Sequence, residues 1–122
     1  MGVLLCKMED YEGALDYFQQ ALRVQEKVFG KTHPMTLRTI MNMASTYQVG
    51  LKDFTRAEEM FRLALDGFER SLGKDHEHTK DCARNLALLL AQELRDKEKT
   101  RELAKEYPHI LDDVWAAEEL VY

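Results

Sequence analysis

At 122 residues, with 45% hydrophobic and 32% charged residues, the chain is long enough for one folded domain and too apolar for a disordered tail. Its formal net charge of −5 argues against the basic surface that nucleic acid requires, and no apolar run approaches the ~20 residues of a membrane span. Good helix formers dominate and there are only two prolines, so the composition predicts an all-α protein.

The chain repeats itself after 43 residues. Phe29-Gly30-Lys31-Thr32-His33 returns as Leu72-Gly73-Lys74-Asp75-His76. The same shift pairs many further positions, among them Asp10 with Asp53, Phe18 with Phe61, Ala21-Leu22 with Ala64-Leu65, Asn42 with Asn85, and Ala44 with Ala87. So many matches in one register predict a repeat array.

In this register, residues 1–8 correspond to the last turns of a helix, so we expect a truncated first unit. Leu4 and Leu5 would then lack their usual neighbour at the end of the stack. Because an uncapped end of a repeat array tends to associate, we predict a homodimer through this N-terminal end.

A long helix follows in each unit. Its apolar residues step by three or four positions, in the order Ala57, Phe61, Ala64, Leu65, Phe68 and Leu72, and the earlier unit repeats this with Ala14, Phe18, Ala21 and Leu22. Gly30 and Gly73 suit a left-handed cap just past the helix end. Pro34 then stands near the first position of the next helix, where a missing N–H costs nothing.

A shorter helix completes each hairpin. Its apolar positions are Ile40, Met43, Ala44 and Tyr47 in one unit, and Ala83, Leu86, Ala87 and Leu90 in the next. Small alanines allow two helices to approach closely, while the aromatic residues fill the space between hairpins. These patterns predict complete units near residues 33–73 and 76–106.

These motifs resemble the tetratricopeptide repeat (TPR). The two helix signatures are Ala14-x3-Phe18-x2-Ala21, repeated as Ala57-x3-Phe61-x2-Ala64, and Ile40-x2-Met43-Ala44-x2-Tyr47. The long period and the Gly-Lys-x-His-Pro loop look like the kinesin light chain class. The resemblance covers residues 1–95 and implies an all-α, right-handed superhelical stack of helical hairpins, a TPR solenoid.

The resemblance also implies a concave groove that binds a partner's peptide. The groove positions are Arg38, Met41, Asn42, Ser45 and Gln48 in the first complete unit, and Asp81, Arg84, Asn85 and Leu88 in the next, with Gln92 beyond them. A carboxamide carries two donors and an acceptor, so Asn42 and Asn85 can hold the backbone of an extended peptide. The alternative is that both asparagines tie helix to helix, and the two arginines are ordinary solvated surface.

No catalytic motif accompanies these residues, so we expect neither an enzyme nor a cofactor. The sequence lacks a Gly-rich phosphate loop, GxSxG and HExxH. His76-x-His78 beside Asp75 invites a metal site, but His76 repeats His33, which favours a structural role in the loop. Cys6 and Cys82 form no CxxC motif; a disulfide between them is one reading, and two reduced thiols in a cytoplasmic protein are the other.

Residues 107–122 are predicted to form an acidic C-terminal capping helix. Asp112, Asp113, Glu118 and Glu119 give this segment a net charge of −4, because it holds no Lys or Arg. Ile110, Val114, Ala117 and Val121 make a stripe at helical spacing. The alternative is that Trp115, flanked by acidic residues, is a ligand for a groove.

These observations predict a protein–protein interaction module with a scaffold or adaptor role, whose partner is a protein or peptide rather than nucleic acid or membrane. The rival reading is a structural or self-associating repeat segment of a larger regulatory or receptor protein.

Overall fold

The structure, a computed structural model, describes residues 10–108, which form five helices and no strand. The helices are α1 (Tyr11–Phe29), α2 (Pro34–Ser45), α3 (Phe54–Leu72), α4 (Glu77–Leu88) and α5 (Lys97–Glu106). Each helix packs against its neighbours in the chain, so the helices form a stack of antiparallel hairpins. The prediction of an all-α hairpin stack is confirmed.

An aspartate caps every second helix of the stack. Asp10, Asp53 and Asp96 stand 43 residues apart, each just before a helix. The carboxylates accept backbone N–H groups three residues on, from Gly13 at 3.0 Å, Arg56 at 3.2 Å and Lys99 at 3.1 Å. Such caps satisfy amides that the helix cannot pair, and each contributes about 1 kcal/mol. The repeat register therefore continues through Asp96 into α5.

Glycine ends the two long helices, as the sequence predicts. Gly30 has φ 92° and ψ 167°, and Gly73 has φ 86° and ψ 163°. Positive φ is confirmed at both positions, but the predicted left-handed helical cap is wrong. The high ψ values place both residues in an extended region that only glycine adopts readily, which turns the chain towards the next helix.

The two shorter helices, α2 and α4, continue beyond their regular α-helical part. π-helical turns extend α2 through Thr46–Leu51 and α4 through Leu89–Glu93. Lys52 and Arg95 follow with φ of 54° and 51°, although neither is glycine. Backbone bonds from Asp53 N to Tyr47 O (2.8 Å) and from Asp96 N to Leu90 O (2.9 Å) close these ends. The sequence analysis missed this feature, since neither segment carries a glycine at the left-handed position.

The core lies along the shared faces of α2, α3 and α4. Small residues there are fully buried, including Ala44, Ala57, Ala64, Ala83 and Ala87. Gly67 shows how close the approach is, because a Cβ built on it would lie 2.4 Å from Cδ2 of Leu37. Phe61, at 1% exposure, fills the space beside these small residues. The predicted division between small and aromatic positions is confirmed.

Side-chain contacts attach α5 to the stack. The phenol of Tyr107, at the end of α5, donates a short hydrogen bond to Glu69 of α3. The ammonium of Lys99 lies 3.3 Å from the carboxylate of Glu58, also on α3. The predicted truncated first helix, the predicted helix beyond Pro108 and the alternatives for Trp115 lie outside the described residues.

Candidate functional site

A groove runs between α2 and α4, which stand one repeat apart. Its cavity has a volume of about 400 Å³. The lining residues come from the starts and middles of both helices and from α3 beneath: Pro34, Met35, Arg38, Met41, Asn42, Phe68, His78, Asp81, Arg84 and Asn85. Residues three and four apart share a helix face, so each helix presents one row of side chains to the groove.

Asn42 and Asn85 occupy the same register position on opposite walls. Both side chains are half-buried. Neither carboxamide has a hydrogen-bond partner anywhere in residues 10–108. The sequence analysis gave hydrogen bonds from one helix to another as the alternative role of these asparagines. Their carboxamides form no such hydrogen bonds within residues 10–108. Both groups keep their donors and acceptor available in the groove.

The charges in the groove are unequal on its two walls. Arg38 on α2 is exposed and makes no ion pair within residues 10–108. On α4, Arg84 Nη1 lies 3.4 Å from Asp81 Oδ1, with side chains 41% and 61% exposed. An exposed pair of this kind contributes about 0–1 kcal/mol, so a ligand can displace it at little cost. The groove carries two arginines against one aspartate and is weakly positive.

Two aromatic side chains, Phe68 and His78, line part of the groove. Phe68 of α3 is 2% exposed, and its ring centroid lies 6.2 Å from that of His78. The ring of His78 also lies 5.0 Å from His76. Apolar rings next to half-buried amides form the mixture of adaptable and directional contacts that recognition sites use.

His33 and His76 act as helix caps. The Nδ1 atom of His33 accepts the backbone N–H of Met35 at 3.1 Å, and Nδ1 of His76 accepts that of His78 at 3.1 Å. These two hydrogen bonds give His33 and His76 a structural role at the start of a helix, as their repetition predicts. In the described part of the chain, no three His, Cys, Asp or Glu side chains come together as metal ligands would.

Cys82 lies on α4 but is fully buried, and its thiol donates to the backbone oxygen of Phe61 at 3.5 Å. Burial, and secondly the negative charge of Glu69, raise the pKa of this thiol to about 12. A thiol in this environment stays protonated at neutral pH, so Cys82 does not supply a nucleophile.

Six of the ten predicted groove residues meet at this cavity, and four do not. Ser45 is exposed at the end of the regular part of α2, Gln48 and Gln92 lie in the two π-helical turns, and Leu88 packs partly against the core. The sequence analysis missed four lining residues, which are Pro34, Met35, Phe68 and His78. The repeat comparison could have drawn attention to Phe68, because the equivalent position in α1 is the polar Gln25. The two repeat units therefore differ in character at this position.

A family model for the tetratricopeptide repeat matches residues 1–70 and, in a second match, residues 39–107. The chain belongs to the tetratricopeptide repeat family. Tetratricopeptide repeats are a non-catalytic scaffold type that generally mediates protein–protein interaction. No curated protein gives a significant match to the chain. None of the helices in residues 10–108 is both long and apolar enough to cross a membrane.

Proposed function

We propose that this tetratricopeptide repeat protein binds an extended segment of a partner protein in the groove between α2 and α4. The observation that carries the proposal is the pair Asn42 and Asn85. These carboxamides stand one repeat apart on facing walls and have no partner within residues 10–108. A half-buried amide without a partner favours a ligand that supplies one.

The chemistry of the groove fits a peptide backbone better than a small molecule. Carboxamides can donate to a peptide carbonyl and accept from a peptide N–H, and therefore grip an extended chain whatever its side chains. Met41 and Met35 add adaptable apolar contact, and the exposed ring of His78 offers aromatic surface. Arg38 supplies a forked donor for a carboxylate of the partner.

The wider role in this proposal is that of a cytoplasmic scaffold or adaptor with kinesin light chain-like repeats. The support for that class is the 43-residue period and the loop Gly30-Lys31-Thr32-His33-Pro34, which recurs as Gly73-Lys74-Asp75-His76. Ser45, Gln48 and Leu88 belong to the proposal as positions where a longer segment would continue along α2 and α4.

The test compares partners retained by the parent chain and by Asn42→Ala/Asn85→Ala, identified by mass spectrometry. We expect the double variant to lose partners that the parent retains, with an unchanged melting temperature. The matched control is Gln19→Ala/Gln20→Ala, which removes two exposed carboxamides from α1. Equal retention by both double variants would refute the groove as the binding site.

A further inference from the structure

Helices α2 and α4, the two walls of the groove, begin in the same way. A histidine stands before each helix, and its Nδ1 atom accepts the backbone N–H two residues further on. Met35 donates to His33 and His78 donates to His76, at 3.1 Å in both cases. Met35 and His78 also line the groove. The hydrogen bonds that hold the first turn of each wall therefore involve residues of the groove itself.

The other helices in residues 10–108 begin with a different acceptor. Asp10, Asp53 and Asp96 cap them, and a carboxylate oxygen accepts an N–H at neutral and mildly acidic pH alike. A histidine accepts at Nδ1 only while that nitrogen carries no proton. Imidazole is the side chain whose charge changes between about pH 8 and pH 5. The two helices that wall the groove are therefore the ones whose capping acceptors take up a proton in mild acid.

Protonation removes the cap and adds an unfavourable charge. Once Nδ1 carries a proton, two donors face each other, and a cation stands at the positive end of the helix dipole. The first turn of α2 holds no acidic residue, and that of α4 holds Glu77. Nothing in the first turn of α2 therefore offsets a charge on His33.

The surroundings of the two capping rings supply no ion pair that would stabilise the charged form. The ring of His33 stacks on Phe29, with centroids 4.6 Å apart, and the ring of His76 lies 5.0 Å from His78. Neither capping histidine has a carboxylate within ion-pair distance among residues 10–108. The charged and titratable residues of the adjoining loops and helix ends are Glu26, Lys27 and Lys31 near His33, and Glu69, Arg70, Lys74, Asp75, Lys105, Glu106 and Tyr107 near His76.

We propose that mild acid releases the first turns of α2 and α4 and thereby loosens the groove, so that the affinity for a partner falls. The effect on affinity rests on the proposed function, whereas the release of the helix starts does not. Loss of an N-cap favours the open first turn by about fivefold. Because Met35 and His78 lie in these turns, both side chains lose their fixed positions in the groove when the turns open.

The charge of His78 itself acts in the opposite direction on an acidic partner. Its protonation adds a positive charge to a groove that is already weakly positive. His78 supplies only its backbone N–H to the cap of α4, and its side chain is exposed. The variant His78→Gln therefore removes this charge and leaves both histidine caps in place.

The test measures hydrogen-exchange protection factors of backbone amides by NMR, at about pH 7.5 and pH 5.5, without a partner. In the parent chain we expect protection of the Met35 and His78 amides to fall about fivefold in acid. The matched variant is His33→Asn/His76→Asn, because a carboxamide oxygen caps a helix at both pH values. Its protection should stay constant, as should that of the Lys99 amide, which a carboxylate accepts in every variant.

A second measurement titrates a peptide copied from a partner segment that the parent chain retains. Its affinity should fall about fivefold between the two pH values in the parent and in His78→Gln, and stay constant in the asparagine variant. Unchanged protection in the parent, or an equal loss in the asparagine variant, would overturn the proposal. So would protection that falls while the affinity holds. A peptide that binds at neither pH refutes the groove as the binding site, and the amides alone then decide whether acid opens the helix starts.

Discussion

Helices α1 and α3 are one repeat apart and show what the repeat fixes and what it does not. Both have 19 residues, begin after an aspartate cap and end at a glycine with positive φ. Their burial differs. Gly67 and Phe68 are buried in α3, whereas the equivalent Val24 and Gln25 of α1 are exposed and half-buried. Register therefore sets the helix limits, while neighbouring helices decide which faces are covered.

The largest expected difference between the two helices is at their matched phenylalanines. Phe61 lies in α3 between α2 and α4 and is 1% exposed. Phe61→Ala should lower the free energy of unfolding by about 3–5 kcal/mol, because it leaves a cavity among close-packed helices. Phe18→Ala should cost less, since α1 has only α2 beside it in the described stack. Urea denaturation measures both, and equal losses would contradict the comparison.

High pH should destabilise the end of the stack that contains Cys82 and Tyr107. Burial and the neighbouring Glu69 raise the pKa of Cys82 from 9.0 to about 12. Burial, and then the hydrogen bond to Glu69, also raise the pKa of Tyr107 well above 10.0. Both groups stay protonated in the folded chain, while the unfolded chain releases these protons above pH 9 to 10.

Stability should therefore be full below pH 9 and fall as the pH rises towards 12. The slope is about 1.4 kcal/mol per pH unit for each group that has titrated only in the unfolded chain. Urea denaturation at several pH values measures this slope. Cys82→Ala/Tyr107→Phe should flatten it, whatever its effect at neutral pH. A parent chain with constant stability from pH 8 to pH 11 would show that neither group is shielded as described.

Exchanging the residues at the matched positions Val24 and Gly67 should have unequal effects. Gly67→Val should cost about 1–3 kcal/mol, because the new side chain must displace Leu37. Val24→Gly changes an exposed position and should cost only about 0.5 kcal/mol through helix propensity. Thermal melting of the two variants gives the comparison. If Gly67→Val were neutral, the closeness of α2 and α3 would not depend on this glycine.

Much of the fold could be predicted from the sequence, because the residues that begin and end the long helices occur in both repeat units. The matching positions at Asp10 and Asp53, and at Gly30 and Gly73, locate the long helices and the loops between them. The π-helical turns could not be predicted, since the positive φ falls on Lys52 and Arg95 instead of glycine. Backbone bonds to the preceding turn hold those ends, and such bonds leave no mark in the residue pattern.

The side chains that α2 and α4 present to the candidate site could be predicted, whereas the residue that lies between these two helices could not. The resemblance to tetratricopeptide repeats implied the two walls of the groove, and helical spacing agrees with it by placing Arg38, Met41 and Asn42 in one row. The floor of the groove was missed, because Phe68 reads as an ordinary core position until α2 and α4 are seen to leave it facing the cavity. The resemblance and the helical spacing therefore predict the two walls, whereas the residue between them is known only from the packing of the helices.

The central claim is that Asn42 and Asn85 together hold a peptide backbone. They are the only asparagines of the chain, so their side-chain amide signals can be followed by NMR without interference from other asparagines. The measurement titrates a partner segment retained by the parent chain into isotopically labelled protein. We predict that both carboxamide signals shift together, over one saturation curve, and exchange more slowly with water. Saturation that leaves either signal in place would contradict the claim.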